Sequence, residues 1–304
     1  SVGEINLDKI KAKTNDTAVD IFVYDTRKDS DGGAWRHRTQ NKSWYNEGAS
    51  EFRGARKEFP AVAVLVLEAN YLRIYDGDDP DLPMWMVFNC NSSSLLRVPF
   101  TKCVAMLNAK LVVGDHNNYA GSTVDFILDS KDDKRDLRQT PRFGNIAQRN
   151  ETGLNHPNNS RLAVGQHTND VAMTVLPDAP IDTGTGLPTP TIAFGTASGA
   201  CATYTAGDGG FKESNIYDVT GFSPCDTVDF SDDKLLIHVL IGTTTYALVG
   251  RRKLTADIAL DSWEFGNQWN TGHPDKRANL PKSMTKALLT KTNKLVFGGA
   301  SSAP

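Results

Sequence analysis

Two short apolar runs separated by a turn dominate residues 60–79 of the chain. Residues 61–67 (AVAVLVL) are rich in Val and Leu, residues 68–70 interrupt them, and residues 71–75 (YLRIY) then alternate apolar and polar side chains. A cluster of Asp and Gly follows at 76–79. Because β-branched and aromatic residues bounded by turn formers are typical of paired strands, this pattern predicts a β-hairpin.

Similar runs along the rest of the chain predict further strands and hairpins. The runs outside the hairpin are 19–24, 34–39, 84–89, 95–100, 103–107, 110–113, 122–128, 170–176, 191–195, 200–205, 215–219, 228–230, 235–241, 243–249 and 288–297. Asn108-Ala109 predicts a tight turn, and 25–33 (DTRKDSDGG) predicts a turn from which 34–39 returns as a partner strand. The chain is therefore predicted to be all-β.

Two segments lack this pattern. Residues 1–17 are polar without a clear period and predict an extended N-terminal arm, followed by one β-domain over 18–304. Residues 129–168 are rich in Asp, Arg and Asn and predict a long polar excursion with a short helix near 142–148. An excursion of this length exceeds an ordinary connection, so we expect it to contact a neighbouring subunit.

The spacing of the apolar runs predicts the architecture. The positions that align as inner strands are Ile21, Val62, Val104, Ile192, Leu235 and Leu288. Several of the gaps between them match the roughly 40 to 45 residues of a four-stranded propeller blade. Stacking such sheets around an axis buries both of their faces, which a single sheet cannot do. We therefore predict a β-propeller of six or seven blades, with β-sandwiches in series as the alternative.

Composition narrows the class of protein only slightly. Of the 304 residues, 39% are hydrophobic and 23% are charged, which is ordinary for a globular protein. The formal net charge of -3 argues against a nucleic-acid partner. The longest apolar runs are too short for membrane insertion, and the first residues do not resemble a signal peptide. The four cysteines lack metal-type spacing, and Cys103 within an apolar run predicts a buried free thiol.

Candidate binding residues are few. The turn that carries Asp76, Asp78, Asp79 and Asp81 holds alternate carboxylates beside a glycine, so it is a candidate Ca²⁺ loop. The alternative is a solvated turn that ends a strand. Trp263, Trp269 and Trp35 are candidates for a contact surface that stacks on sugars, with simple packing as the alternative. Apart from the possible calcium ion, no cofactor is predicted.

Signals for catalysis are weak. The chain has no Gly-x-Ser-x-Gly sequence, and its six histidines are scattered without metal-ligand spacing. Glycosidase chemistry needs two carboxylates that converge on a sugar. Asp20, Asp125, Asp229 and Glu264 lie on or beside predicted strands, but the sequence alone does not show which of them converge. We therefore assign no catalytic residue and predict that the protein is not an enzyme.

Several stretches resemble virion structural proteins of tailed marine bacteriophages. They are 20–45 (DIFVYDTRKDSDGGAWRHRTQNKSWY), 56–64 (RKEFPAVAV), 74–88 (IYDGDDPDLPMWMVF), 169–177 (NDVAMTVLP) and 186–193 (GLPTPTIA). The resemblance covers most of residues 18–195 and weakens beyond them. It implies a tail-associated or fibre-like virion component with propeller repeats, and it brings no catalytic residues with it.

The leading hypothesis is therefore a non-enzymatic phage virion protein that acts in assembly, in adsorption to the host surface, or in both. We expect it to form a homo-oligomer with other virion proteins as partners, to contact a host surface glycan or protein, and to be assembled in the bacterial cytoplasm. One alternative is a glycan-degrading propeller enzyme, sialidase-like or a depolymerase. The other is a secreted or surface β-propeller binding module.

Overall fold

Antiparallel β-sheet makes up most of the computed structural model. It describes residues 7–13, 17–90, 95–96, 101–115, 121–134, 144–151, 167–197, 200–207, 210–218, 225–231, 234–241, 244–249, 284–289 and 295–299. These residues hold seventeen strands, one short α-helix and three 3₁₀ helices. The all-β prediction is confirmed.

The strands form five sheets in which chain order and spatial order agree. Sheet 1 holds β1 (Ala18–Asp25), β2 (Val62–Glu68), β3 (Tyr71–Asp76) and β4 (Met84–Asn89). Sheet 2 holds β5 (Thr101–Leu107), β6 (Lys110–Asp115), β7 (Gly121–Asp125) and β8 (Ser130–Lys134). Sheet 3 holds β9 (Thr168–Thr174), β10 (Thr191–Thr196), β11 (Ala200–Gly207) and β12 (Gly210–Asp218). Sheet 4 holds β13 (Cys225–Ser231), β14 (Lys234–Ile241) and β15 (Thr244–Val249), and sheet 5 holds β16 (Met284–Leu289) and β17 (Leu295–Gly299).

The first strands of successive sheets contact one another. β1 contacts β5, β5 contacts β9, β9 contacts β13, and β13 contacts β16. Each sheet therefore presents its first strand to the next sheet, and the later strands of the sheet follow outward in antiparallel order. Local meanders of this kind arise because neighbouring strands need only short turns between them.

The predicted repeat is wrong in its register. Val62, Ile192 and Leu235 lie on the second strands of their sheets, whereas Ile21 and Val104 lie on first strands. The first strands of the five sheets begin at Ala18, Thr101, Thr168, Cys225 and Met284. Each interval between successive first strands is longer than the roughly 40 to 45 residues expected for one blade. Periodicity misled here because the second strands are as apolar as the first ones. The residues described contain five sheets, so the count of six or seven stays a prediction.

The opening hairpin is confirmed as β2 and β3, with Leu65 opposite Ile74. The turn Asn108-Ala109 is also confirmed, and both residues adopt positive φ values, 50° and 63°. The partner strand predicted at 34–39 is wrong, because Ala34–Arg38 form a 3₁₀ helix. Gly32 and Gly33 precede it with positive φ, a conformation that glycine adopts readily and that turns the chain away from β1. A first 3₁₀ helix lies just before them at Thr26–Lys28.

The N-terminal segment packs on sheet 1. Within 1–17, Leu7–Lys11 form the short helix α1, so the prediction of an extended arm is wrong for these residues. Ile10 is buried in a cluster with Val64, Val66, Tyr75 and Leu82, on the face of sheet 1 that points away from sheet 2. This apolar anchor, together with the bonds that Lys9 donates to Asp81 and Lys13 donates to the carbonyl of Leu82, holds the polar segment in a defined position.

The polar excursion partly folds back on its own chain. It contains β8 and the 3₁₀ helix Ile146–Gln148, which confirms the predicted short helix. Arg149 is buried and donates to the carbonyl oxygens of Val87 at 2.7 Å and Phe52 at 2.8 Å, and it pairs with Glu47. Residues 144–151 of the excursion therefore pack on sheet 1, whereas β8 belongs to sheet 2. Residues 135–143 and 152–166 lie outside the described residues, so the predicted contact with a neighbouring subunit stays a prediction.

An aromatic cluster fills the space between sheets 1 and 2. Phe59 and Trp44 each pack against Trp85 and Phe126, with ring centroids 4.7 to 6.0 Å apart and mostly edge-to-face geometry. The Trp44 indole N–H donates to the carbonyl of Phe126 at 2.9 Å, so the polar atom of this buried ring is satisfied. Rings of this size contribute large buried apolar areas. The cluster therefore joins the two sheets into one core.

Candidate functional site

A cavity of about 580 Å³ lies between the first strands of sheets 1 to 4. Its walls come from β1, β5, β9 and the middle of β13, so four separate sheets converge on it. Because the first strand of a sheet is an edge strand, it turns one row of backbone groups away from its own sheet. The cavity is thus where unpaired backbone N–H and C=O groups need partners, and it is the candidate functional site.

Asp20 of β1 provides such partners at the wall between sheets 1 and 2. Its Oδ1 accepts from the backbone N–H of Ile21 at 2.9 Å, and its Oδ2 accepts from the backbone N–H of Val104 in β5 at 2.9 Å. One carboxylate therefore satisfies one amide on its own strand and one on the next sheet.

Asp170 of β9 repeats this arrangement between sheets 3 and 4. Its Oδ1 accepts from the N–H of Val171 at 2.9 Å and its Oδ2 accepts from the N–H of Val228 in β13 at 3.0 Å. Asp229 also lines the cavity and accepts from the N–H of Phe230 at 2.8 Å. Hydrogen bonds to a charged acceptor are among the stronger ones in proteins. Asp20 and Asp170 therefore act in the first place as links between strands.

Sheet 2 carries a thiol where sheet 3 carries a carboxylate. The sequences TKCVAM (101–106) and TNDVAM (168–173) align without a gap. In this alignment, Cys103 of β5 is equivalent to Asp170 of β9. Cys103 is a free, buried cysteine, as predicted. Burial raises the pKa of its thiol well above the ordinary value, and the negative charges of Asp170 and Asp20 raise it further. The thiol therefore stays protonated and is a poor nucleophile.

The wall formed by β1 also exposes apolar side chains. Val19, Ile21 and Val23 are 45%, 40% and 43% exposed, although β2 beside them is buried along its whole length. They alternate with the inward residues Phe22 and Tyr24, as expected for a strand with two distinct faces. Lys28 and Lys102, which are exposed, add positive charge at the same cavity. The site thus combines an apolar stripe with a mixed-charge wall.

The sequence identified Asp20 and Asp229 as strand carboxylates, and the structure brings both of them to this cavity. It missed Asp170, for which the available signal was the repeated T-x-x-V-A-M pattern. The other two carboxylates in that group lie elsewhere. Asp125 is buried beside Lys110, and Glu264 lies outside the described residues.

The candidate calcium loop is held by cations and amides of its own chain. Arg56 donates to the carboxylates of Asp76 and Asp78, and Asp78 also accepts from the backbone N–H groups of Ala61 and Val62. Asp79 accepts from the N–H of Asp81 at 2.8 Å. Burial alone raises the pKa of Asp78, but the amide donors and Arg56 outweigh it and lower that pKa.

The last carboxylate of this loop, Asp81, pairs with Lys9 of α1 at 3.0 Å, and that contact lowers its pKa. Within the part of the chain that the structure describes, no group of three or more His, Cys, Asp or Glu side chains is arranged to hold a metal ion. The calcium prediction is therefore not supported by this arrangement. A turn that ends a strand describes the loop.

The prediction that Trp35 belongs to a contact surface is wrong, because its ring is fully buried. Its indole N–H donates to Asp29 Oδ2 at 2.8 Å, and the Tyr24 hydroxyl donates to the same oxygen. Asp29 Oδ1 accepts from the N–H of Asn108 at 2.8 Å, so this network links sheet 1 to the β5–β6 turn. Trp263 and Trp269, the other two candidates, lie outside the described residues.

None of the helices among the described residues is long and apolar enough to cross a membrane.

Comparisons with known proteins add little to this description. No family profile and no curated protein sequence matches the chain. Among solved structures, it is similar to the N-terminal domain of Nup159, with a TM-score of 0.35, 10% identity, and coverage of 65% of this chain and 44% of that one.

A functionally unknown protein from Desulfotomaculum acetoxidans is similar with a TM-score of 0.33 and 10% identity, over 64% of this chain and 63% of that one. A chain of Chaetomium thermophilum Polycomb Repressive Complex 2 is similar with a TM-score of 0.30 and 8% identity, over 63% of this chain and 49% of that one. The chain spans less than two thirds of each of these proteins. Likenesses this distant carry no argument about function.

Proposed function

We propose that this chain is a non-enzymatic structural protein of a tailed bacteriophage virion, associated with the tail or its fibres. In this proposal its sheets are blades of a β-propeller with six or seven blades. It acts in assembly, in adsorption to the host surface, or in both, as a homo-oligomer beside other virion proteins. The virion assignment rests on the sequence stretches that resemble phage structural proteins, and the resemblance covers most of residues 18–195.

The proposal that the protein is not an enzyme is supported by the hydrogen bonds of the carboxylates in the cavity. Both oxygens of Asp20 and both oxygens of Asp170 accept backbone N–H bonds. A general acid or a nucleophile needs an oxygen directed at the substrate, and these four oxygens are directed at the protein. The exposed side chains of Val19, Ile21 and Val23 offer contact area instead. The cavity wall is therefore better suited to holding a partner than to reacting with one.

The test of location is direct. Particles of the phage that encodes this chain are purified, and an antibody against the chain is used for immunogold electron microscopy, with mass spectrometry of the particle proteins. We expect label on the tail or fibres and peptides from the chain in stoichiometric amount. Absence of the chain from intact particles, with abundant chain in the cell lysate, would overturn the proposal. Cryo-EM of the labelled structure then counts the blades and the copies.

A glycan-degrading enzyme is the second candidate, because four aspartates, Asp20, Asp25, Asp170 and Asp229, line one cavity. Its test is hydrolysis of host-surface polysaccharide by the purified chain, measured as released reducing ends. Activity that is abolished in Asp170→Asn but kept in the exposed control Asp178→Asn would replace the non-enzymatic proposal. We expect no hydrolysis by any of the three proteins.

A further inference from the structure

A lysine and two aspartates are buried together where sheet 2 meets the loop before β10. The side chains of Lys110, Asp125 and Asp182 are 7%, 3% and 1% exposed. Lys110 and Asp125 are direct cross-strand partners on β6 and β7, and the Lys110 Nζ contacts Asp125 Oδ2. Asp182 Oδ2 lies 3.6 Å from the same nitrogen. An amine and a carboxyl group are therefore held in contact away from bulk water.

The second oxygen of Asp125 is bound by two backbone amides. Asp125 Oδ1 accepts from the N–H of Ile127 at 2.9 Å and from the N–H of Leu128 at 2.8 Å. Paired amide donors of this kind stabilise the negative oxygen of a tetrahedral intermediate during acyl transfer. The donors are part of the turn after β7, so they are already in position before any reaction.

Asp182 is placed to move protons. Its Oδ1 accepts from the N–H of Gly184 at 2.9 Å and of Thr185 at 3.3 Å, which fixes the carboxylate in its loop. Its Oδ2 is buried without a hydrogen-bond partner and is the oxygen nearest to Lys110 Nζ. A buried carboxylate oxygen that faces an ammonium group without a hydrogen bond is costly for stability.

We propose that Lys110 and Asp125 form an intramolecular amide cross-link after the chain folds. Asp182 takes one proton from the ammonium group and passes it to Asp125 Oδ2, which makes that carboxyl group neutral. The free amine then attacks Asp125 Cγ while Oδ1 carries the negative charge. The Cγ–Oδ2 bond breaks, and Oδ2 leaves as water with the proton from Asp182 and one proton from the nitrogen. The ion pair supplies every atom of the amide and of the water, so no further reagent is needed.

Two physical effects favour this product. Holding the reacting groups in contact replaces a bimolecular encounter by a unimolecular step. Forming the amide also removes two buried charges, whose desolvation opposes folding even when they are paired. The cross-link joins β6 to β7 and would help sheet 2 to resist unfolding, whatever the function of the chain. The inference therefore does not depend on the proposed virion role.

The experiment is mass spectrometry of the full chain, purified in the folded state and then denatured for measurement. We expect an intact mass lower than the sequence mass by one water molecule. Trypsin should yield a peptide spanning 103–131 with Lys110 uncut and one water missing. Cleavage of that peptide after Tyr119 should leave two segments joined through Lys110 and Asp125, which excludes water loss by cyclisation of a single aspartate.

Variants separate the cross-link from the fold. Lys110→Arg keeps the positive charge but cannot form this amide, so it should have the full mass of its sequence. Lys102→Arg changes an exposed lysine on β5 and should keep the water loss. Asp182→Asn should slow the appearance of the cross-linked mass after synthesis by at least tenfold, and an unchanged rate would overturn the role of Asp182. Folded wild-type chain at full mass, or water loss that maps to another peptide, would overturn the cross-link itself.

Discussion

Asp20 accepts a hydrogen bond from the backbone N–H of Val104 at 2.9 Å, and this bond ties the first strand of sheet 1 to the first strand of sheet 2. Asp170 does the same for Val228 between sheets 3 and 4. At the aligned position of sheet 2 stands Cys103, a weak hydrogen-bonding group. Strong carboxylate links therefore join sheet 1 to sheet 2 and sheet 3 to sheet 4.

Replacing either carboxylate should loosen one pair of sheets. Asp20→Ala and Asp170→Ala each remove the acceptor of two backbone amides, so each should lower the free energy of unfolding by about 1–3 kcal/mol. The measurement is urea denaturation followed by tryptophan fluorescence. Asp178→Ala, an exposed aspartate near β9, is the control and should change little. Because the two links share no partner, the double variant should show nearly the sum of the single effects. A neutral Asp170→Ala would contradict the structural role.

Gly54 should not tolerate a side chain. A Cβ at this position would lie 2.2 Å from the carbonyl oxygen of Met84, and backbone of a sheet strand cannot move aside easily. Gly54→Ala should therefore destabilise the protein by about 2 kcal/mol or more, as overpacked sites do. Gly48→Ala is the matched control, because a Cβ there meets nothing within 4 Å. Melting temperatures by calorimetry should fall for the first variant and not for the second. Equal melting temperatures would show that β4 does not pass Gly54 as described.

Arg53 should not be replaceable by lysine. Its guanidinium group donates to five carbonyl oxygens, those of Trp44, Gly54, Arg56, Lys57 and Trp85, and it stacks 4.5 Å from the centre of the Trp85 ring. Burial lowers its pKa to about 10, so it remains charged at neutral pH. A lysine has only three donors and no planar group to stack, so Arg53→Lys leaves buried carbonyls without partners.

We expect Arg53→Lys to cost about 2–4 kcal/mol of unfolding free energy, measured by urea denaturation. Arg27→Lys is its control, since Arg27 is exposed and pairs with Asp25 at the surface. That change should have little effect. A stability loss of the same size in both variants would show that charge, and not the geometry of the carbonyl cage, matters at residue 53.

Asp29 should make stability depend on pH. Burial raises its pKa above the ordinary value of 3.8, although the bonds from Tyr24, Trp35 and Asn108 oppose this. Between 3.8 and the raised pKa the folded chain binds more protons than the unfolded chain, so the free energy of unfolding falls as the pH rises. Asp29→Asn cannot titrate. The difference in unfolding free energy, wild type minus Asp29→Asn, should therefore decrease from pH 3.8 upward and become constant above the raised pKa.

Urea denaturation at a series of pH values measures this difference. A difference for Asp29→Asn that increases with pH would mean that the hydrogen bonds to the carboxylate outweigh its burial, and would contradict the assigned cause.

Local signals in the sequence determined the strands and some of the turns. Val and Leu runs bounded by Asp, Gly and Asn predicted β2, β3 and β4, because strand propensity and turn chemistry act over a few residues. Asn108-Ala109 predicted the β5–β6 turn for the same reason. Cys103 was correctly predicted as buried, because it lies within an apolar run. These features depend on neighbours in the chain, and the sequence contains those neighbours.

Tertiary structure decided what long-range contacts control. The sequence suggested Trp35 as a contact residue because a tryptophan ring can stack on a sugar. In the structure the ring is buried, and its indole N–H is bound by Asp29, which also accepts from Tyr24. The second strands are apolar too, so only packing between sheets shows that β1 rather than β2 faces the cavity. A single carboxylate such as Asp20 looks like any surface aspartate in the sequence. Asp20 has its role only because the fold brings the backbone N–H of Val104, which lies 84 positions later on the edge strand β5, next to its carboxylate.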